Sequence, residues 1–238
     1  MTRVIHRAES RGFADHGWLK SRHTFSFAHY HNPERMNFGA LRVLNDDVVA
    51  PGMGFGTHPH ADMEIVSIPI TGSLAHKDST GNAEIIRSGD VQIMSAGTGL
   101  THSEFNPDKA HEVNFLQIWV LPEKRGISPR YEQKAFDLES ARNSFVLLVS
   151  PEKANGSLWI NQQARFWQGI FDQGVTAKLE LAYDNSGIYL FVIHGSISVL
   201  GETLRPRDAI GITETNSLTV EALEGSRVLA IEVPCWGD

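Results

Sequence analysis

The chain has 238 residues, of which 41% are hydrophobic and 21% charged, and its formal net charge is −7. This composition is typical of a soluble globular protein, and no apolar run approaches the roughly 18 residues that a membrane span requires. The acidic balance, without any basic run, argues against direct binding to nucleic acid, because that affinity depends on neutralising phosphates.

The first residues, MTRVIHRAES, lack the apolar core of a secretory signal. The single cysteine, Cys235, excludes an internal disulfide framework and a thiolate metal cluster. Both features suit a reducing compartment. We therefore expect a cytoplasmic protein with no membrane partner.

In chain order, most of the sequence predicts short alternating strands separated by Gly, Asn and Asp turns, at the spacing of β-sandwiches and barrels. The polar residues 121–134 predict a linker between two lobes, and residues 137–143 are the best helix candidate. The length suffices for two barrels. We therefore predict an all-β fold of two packed lobes, over residues 1–122 and 123–238.

A faint internal repeat supports two copies of one barrel. Gly72 and Ser73 open a hairpin that returns over residues 85–93, and Gly195 and Ser196 open another that returns over residues 203–210. Each return strand carries an apolar residue, an arginine, a turn, an aspartate and further apolar residues in the same order. The match favours duplication.

Candidate metal ligands occur at alternate positions in two short motifs. His58-Pro59-His60 places two imidazoles on one face of a strand, and His102-Ser103-Glu104 offers an imidazole and a carboxylate in the same way. Three neutral nitrogens and a carboxylate suit a borderline divalent ion and leave positions open for water or substrate. An isolated H-x-H is more often a surface or packed pair, so the context of these motifs decides.

That context resembles the cupin superfamily. The spacings Gly-x5-His-x-His-x3-Glu-x7-Gly over residues 52–72 and Gly-x5-Ser-x-Gly-x4-His-x3-Asn over residues 89–106 approximate its two motifs, in the right order. The general cupin pattern makes the first-motif carboxylate, Glu64, the fourth ligand. Both Glu64 and Glu104 share strand parity with a histidine, so spacing alone leaves the choice open.

The chain also resembles a narrower family, the pirins, through residues 22–45, 57–66, 76–79 and 88–104. This resemblance implies a bicupin with one divalent metal ion in its N-terminal lobe. It also assigns that ion to four ligands: His58, His60, His102 and Glu104. Fe(II) is the expected ion, although the same ligands accept Zn, Co, Ni, Mn or Cu(II).

The second lobe offers an internal comparison. Counting back from Gly195, as His58 and His60 precede Gly72, reaches Leu181 and Tyr183, and counting forward from Asp208 reaches Val220 and Ala222. None of these four residues is a metal ligand. We therefore predict that the lobe over residues 123–238 binds no metal.

The remaining histidines carry weaker signals. His76 lies in the hairpin that follows Gly72 and is expected to cap a turn, with a role in orienting a ligand as the alternative. The five N-terminal histidines have no second motif among them and are expected to pack or lie on the surface; they are His6, His16, His23, His29 and His31. Phe55 is a candidate for lining an apolar pocket.

The resemblance to bacterial pirins implies a metal-dependent dioxygenase acting on a flavonol such as quercetin, with Glu104 as the catalytic general base for the substrate hydroxyl. An alternative is a metal or redox sensor that binds a protein partner, as eukaryotic pirins suggest. A cupin isomerase or decarboxylase acting on a small acid shares the ligand set. We expect a monomer, because the second lobe can cover the sheet face that single-lobe cupins bury by dimerising.

Overall fold

Side chains alternate between buried and exposed along many segments, as strands with one face on a core require. A computed structural model describes residues 1–235, and within this range the chain forms 22 β-strands and two short 3₁₀ turns, at Ala8–Ser10 and Ala154–Gly156. The strands of the first half are β1 (Thr2–His6), β2 (Gly12–Asp15), β3 (Leu19–His23), β4 (Leu41–Val49), β5 (Gly54–His60), β6 (Glu64–Thr71), β7 (Ser73–Asp78), β8 (Ala83–Arg87), β9 (Asp90–Ser95), β10 (Leu100–Phe105) and β11 (Val113–Val120).

The second half continues the same pattern of short strands. They are β12 (Arg130–Ala135), β13 (Phe145–Ser150), β14 (Leu158–Trp159), β15 (Arg165–Phe171), β16 (Thr176–Glu180), β17 (Ser186–His194), β18 (Ile197–Val199), β19 (Glu202–Leu204), β20 (Ala209–Thr213), β21 (Ser217–Ala222) and β22 (Ser226–Pro234). Within residues 1–235, no helix is long and apolar enough to cross a membrane.

Each lobe pairs a seven-stranded sheet with a four-stranded sheet. The first lobe has the strand orders β12-β9-β6-β11-β4-β3-β2 and β5-β10-β7-β8, and the second has β1-β20-β17-β22-β15-β13-β14 and β16-β21-β18-β19. The two halves thus share one strand order apart from the outermost strand of each large sheet, since β2 pairs antiparallel with β3 whereas β14 pairs parallel with β13. In both, the hairpin of the predicted repeat (β7 and β8, or β18 and β19) lies in the small sheet, and the following strand enters the large sheet.

The lobes exchange edge strands. β1 pairs antiparallel with β20 of the second lobe, and β12 pairs antiparallel with β9 of the first. Each strand thereby covers a sheet edge that would otherwise expose unpaired backbone groups. Two strands therefore cross the division predicted at residue 122, and that division remains a prediction.

Two local expectations differ from the structure. Residues 137–143 form hydrogen-bonded turns instead of a helix, because the side chain of Asp137 accepts the Ser140 N–H at 3.0 Å and Asn143 adopts a positive φ of 70°. The predicted linker is also only partly irregular, since its last five residues belong to β12 and pair with β9.

The cores of the two lobes differ. The largest apolar cluster draws on both seven-stranded sheets, for example Ile118 of β11 and Leu229 of β22, so these sheets pack face to face. The interior of the second lobe is one continuous apolar cluster. The interior of the first lobe is divided into two small clusters, around Phe115 and around Met94, and polar side chains lie between them.

Candidate metal centre

The predicted ligands lie on two paired strands of the small sheet in the first lobe. His58 and His60 belong to β5, and His102 and Glu104 belong to β10. His58 lies directly opposite His102 in the antiparallel pairing, and a bulge follows between His102 and Glu104. The i, i+2 spacing therefore turns the two β5 imidazoles to the face that His102 occupies.

Three imidazoles converge at this face. One ring nitrogen from each of His58, His60 and His102 lies within 4.8 Å of the other two, and the ring centroids are 4.4–4.9 Å apart. Nε2 of His102 is buried and has no hydrogen-bond partner among the described residues. A buried nitrogen lone pair beside two further imidazoles fits a divalent metal ion, which would satisfy it.

Hydrogen bonds on the far side of the rings fix which nitrogens are free. His58 Nδ1 donates to the backbone carbonyl of Gly56 at 2.7 Å, so the free lone pair of the His58 ring lies on Nε2. Burial lowers the pKa of His60 to about 4 and that of His102 to about 3. Both rings are therefore neutral near pH 7, in the form that binds a metal.

His76 extends the cluster away from the three imidazoles. Its Nε2 lies 3.0 Å from Oδ2 of Asp78, and its Nδ1 lies 3.5 Å from Nδ1 of His102. Because the carboxylate accepts the Nε2–H, Nδ1 of His76 can accept the Nδ1–H of His102, which leaves the lone pair of His102 on Nε2. The turn-capping expectation for His76 is wrong: Asp78 caps the turn by accepting the Thr80 N–H at 2.9 Å.

Glu104 is buried beside this cluster. Its carboxylate accepts hydrogen bonds from Ser67 Oγ at 3.2 Å and from Gln117 Nε2 at 2.9 Å. Burial raises its pKa to about 7, although these two donors oppose the rise. Glu104 shares a 4.8 Å group with His76 and His102, but the four predicted ligands do not form one group at that distance. Its role as a ligand remains a prediction.

Glu64, the alternative carboxylate, lies in a different environment. It is buried at the contact between the lobes, where its Oε2 accepts the Ser95 hydroxyl at 2.8 Å and the Asn161 N–H at 3.1 Å. Burial raises its pKa to about 7. Glu64 joins neither group of candidate ligands found among residues 1–235.

A cavity of about 370 Å³ opens beside the imidazoles. Phe55 lines it, as expected, and Trp119 places its ring at right angles to His60, 4.9 Å from its centroid. The rest of the wall is formed by Phe13, Ala14, His16, Leu19, Ser21, His23, Phe27, Ala28, His29, Tyr30, Asp47, His58, His60 and Gln117. Three histidines expected only to pack or to lie on the surface therefore face the cavity.

The equivalent strands of the second lobe carry no such set. β16 pairs with β21 as β5 pairs with β10, and their buried residues are all apolar: Ala177, Leu179, Leu218, Val220 and Ala222. Counting from the hairpin reached Val220 and Ala222 on β21, but Leu181 and Tyr183 lie just beyond the end of β16. In the described part of the chain, groups of three or more candidate ligands occur only in the first lobe.

Comparison with known proteins agrees with this architecture. The family model for pirin matches residues 4–120, and the model for the quercetinase C-terminal cupin domain matches residues 147–233. Quercetin 2,3-dioxygenase of Escherichia coli K12 is 40% identical over 230 residues, which cover 97% of this chain and 98% of that protein. A pirin-like protein of Caulobacter vibrioides is 40% identical and covers 93% of this chain and 95% of its own.

A solved structure is similar to this chain over its whole length. Bacterial pirin YhhW from Escherichia coli, crystallised in complex with nickel(II), matches with a TM-score of 0.94 and 38% identity, covering 99% of this chain and 100% of that chain. The similarity extends over both lobes and includes the first-lobe strands that carry the imidazole cluster. The chain therefore belongs to the pirin family of bicupin proteins.

Proposed function

We propose that this protein is a metal-dependent dioxygenase that cleaves flavonols such as quercetin. The observation that carries the proposal is the position of the three imidazoles: His58 and His60 form part of the wall of an aromatic-lined cavity, and Nε2 of His102 has no hydrogen-bond partner within residues 1–235. The E. coli relative named quercetin 2,3-dioxygenase supports the substrate class. The cavity suits a planar aromatic ligand, because its walls are mostly apolar and aromatic.

The proposed metal ligands are His58, His60, His102 and Glu104, with Fe(II) as the first candidate ion. When bound, the ion would supply Lewis-acid polarisation and an open coordination position. The lobe over residues 123–238 would bind no metal and would support the first lobe through the face-to-face contact of the large sheets. The assignment of Glu104 requires its carboxylate to lie closer to the imidazoles of His58 and His60 than it does in this structure.

Different residues of the chain would position the substrate and accept its proton. The cavity wall, including Phe55 and Trp119, would position the planar substrate and exclude water. Glu104 would accept the proton of the flavonol 3-hydroxyl, and Gln117 would hold the carboxylate in place. The reaction consumes one dioxygen: both of its atoms enter the ring-opened ester, and one carbon of the central ring leaves with its own oxygen as carbon monoxide.

Turnover of quercetin by separately reconstituted metal forms tests the proposal. The wild type would be loaded with Fe(II), Cu(II), Ni, Co, Mn or Zn, and loss of flavonol absorbance would be followed in air beside His58→Ala. We expect cleavage with at least one ion and its loss in the variant. Absence of cleavage with every fully bound ion would refute the dioxygenase and favour the regulator that binds a protein partner.

A further inference from the structure

A row of polar side chains crosses the large sheet of the first lobe and connects the carboxylate of Glu104 to the cavity wall. In the register of four adjacent strands, Ser67 lies opposite Gln117, Gln117 opposite Asn45, and Asn45 opposite His23. Ser67 and Gln117 donate to Glu104, whereas His23 bonds to Asn45 at 3.0 Å. Adjacent strands are about 4.8 Å apart, so His23 lies roughly 10 Å across the sheet from Gln117.

A buried hydrogen-bond chain surrounds His23. Ser21 donates its hydroxyl hydrogen to Oδ1 of Asp47, so its oxygen can only accept from Nδ1 of His23, which lies 3.3 Å away. Oδ1 of Asn45 accepts from the same ring nitrogen. Burial lowers the pKa of His23, so the ring is neutral, with its hydrogen on Nδ1 and a lone pair on Nε2.

Two polar atoms in this chain have no partner among the described residues. Burial raises the pKa of Asp47 to about 7, so its Oδ2 accepts when the carboxyl is ionised and donates when it is protonated, whereas Nε2 of His23 only accepts. Nε2 of His23 and Oδ2 of Asp47 form no hydrogen bond within residues 1–235, although both residues line the cavity. His23 is 3% exposed and Asp47 is 2% exposed, so bulk water does not solvate them freely. Neither atom is among the fully enclosed unpaired atoms, so each reaches the cavity, where a ligand or an ordered water can meet it.

We propose that His23 and Asp47 form a hydroxyl-recognition subsite, which binds the ring hydroxyls of a polyphenol at the end remote from the metal. This inference rests on the proposed function and names the substrate feature that the site selects. Nε2 of His23 requires a donor on the ligand, and Oδ2 of Asp47 requires a donor or, when protonated, an acceptor. A phenolic hydroxyl on a planar ring can be either. No lysine or arginine is among the described residues that line the cavity, so an anionic end group would find no cation there.

The subsite also explains why the cavity wall combines aromatic and polar residues. Phe27 packs against His23 at 5.4 Å and against Trp119 at 5.3 Å between centroids, so aromatic rings lie between the subsite and His60. A ligand that reaches from the imidazoles to His23 would contact these rings along its length. Recognition of hydroxyls at the far end would then favour flavonols with hydroxylated outer rings over flavonols without them.

Binding of three flavonols to zinc-loaded protein without oxygen tests the inference independently of turnover. All three probes keep the 3-hydroxyl: quercetin has hydroxyls on both outer rings, galangin only on the fused ring, and 3-hydroxyflavone on neither. Each step of this series, from quercetin to galangin and from galangin to 3-hydroxyflavone, removes the hydroxyls of one ring. We expect the affinity of the wild type to fall on the order of ten-fold at one of the two steps, which corresponds to one or two hydrogen bonds. Asp47→Leu and His23→Phe each remove one of the two polar atoms, so each should make that step markedly smaller.

His29→Phe is the matched control, because His29 lines the same cavity outside the hydrogen-bond chain and should keep the full step. Circular dichroism and thermal midpoints would confirm that each variant folds. An undiminished step in both Asp47→Leu and His23→Phe would overturn the subsite, as would equal affinity of the wild type for all three probes. If the wild type discriminates but never cleaves a flavonol, the dioxygenase proposal fails and the subsite stands.

Discussion

Gln117 donates a hydrogen bond of 2.9 Å to the buried carboxylate of Glu104, from a strand of the opposite sheet. The contact joins the large sheet to the strand that also carries His102. It stabilises the charged form of Glu104, whose pKa burial has raised to about 7. The ability of this carboxylate to bind a metal near neutral pH therefore depends on a residue that is not itself a proposed ligand.

Replacing Gln117 with Met should weaken metal binding at pH 7 by roughly ten- to a hundred-fold, the usual effect of losing a residue that supports a ligand. The variant lacks a donor to Glu104, so the pKa of the carboxyl rises further and protons compete with the metal. The deficit should shrink at pH 9, where the carboxyl ionises in either protein. Chelator competition at both pH values measures this, with exposed Gln163→Met as control; an equal deficit at both would contradict the mechanism.

Asp78→Asn should weaken metal binding by about ten-fold or more, although no atom of Asp78 is a proposed ligand. The carboxylate fixes the hydrogen of His76 on Nε2, and its loss would free His76 and then His102 to adopt other tautomers. The amide oxygen of Asn could still cap the turn at Thr80. The same competition assay applies, and unchanged affinity in a folded variant would show that the His76 to His102 contact does not orient the ligand.

Glu64→Gln should make the metal-free protein less sensitive to pH. The folded-state pKa of Glu64 is about 7, above its ordinary value of 4.5, so the folded state holds a proton that the unfolded state releases. This carboxyl therefore lowers the free energy of unfolding as pH rises from about 4.5 to 7. Glutamine does not titrate and so removes the effect. Across this range the free energy of unfolding of the variant should therefore rise, relative to that of the wild type, by up to roughly 3 kcal/mol.

Urea unfolding of both metal-free proteins at several pH values measures the Glu64 effect. The difference between their free energies of unfolding should grow up to about pH 7 and then level off. A difference independent of pH would mean that Glu64 is ionised throughout, held by Ser95 and the backbone N–H of Asn161.

Tyr189→Phe should destabilise the protein by about 1–3 kcal/mol, because it leaves a buried ring nitrogen of His6 without its partner. The Tyr189 hydroxyl lies 2.7 Å from Nδ1 of His6 and ties exchanged strand β1 to the apolar cluster between the two large sheets. Urea unfolding at pH 7 measures the loss. Tyr183→Phe, at a half-buried position, should cost less, and equal costs would argue against a special role for the β1 contact.

The sequence predicted part of this site because strands have a period of two residues. That period placed His58 with His60, and His102 with Glu104, before any pairing was known. The same period left Glu64 open as an alternative, but Glu64 begins β6 after a turn instead of continuing β5. Residues that share a spacing need not share a strand, so spacing alone does not choose between the two carboxylates.

The polar row from Gln117 to His23 could not be predicted, because it depends on the register of strands that are far apart in sequence. Gln117 and Asn45 are brought together by the pairing of β11 with β4, and neither residue belongs to either of the two cupin-like motifs in the sequence. One signal was present: in residues 19–23, Leu19, Ser21 and His23 alternate with charged or basic residues, which predicts that they share a buried face. The contact of His76 with His102 could be offered only as an alternative for a similar reason, since His102 lies on a different strand, β10.

The yield of carbon monoxide per quercetin consumed, measured in air with the active metal form, tests the central claim most directly. Flavonol cleavage at the imidazole cluster predicts one carbon monoxide and one dioxygen for each quercetin, and loss of this activity in His58→Ala at matched protein concentration. Disappearance of quercetin without carbon monoxide, or at equal rates in both proteins, would contradict it, because oxidation would then proceed independently of the site.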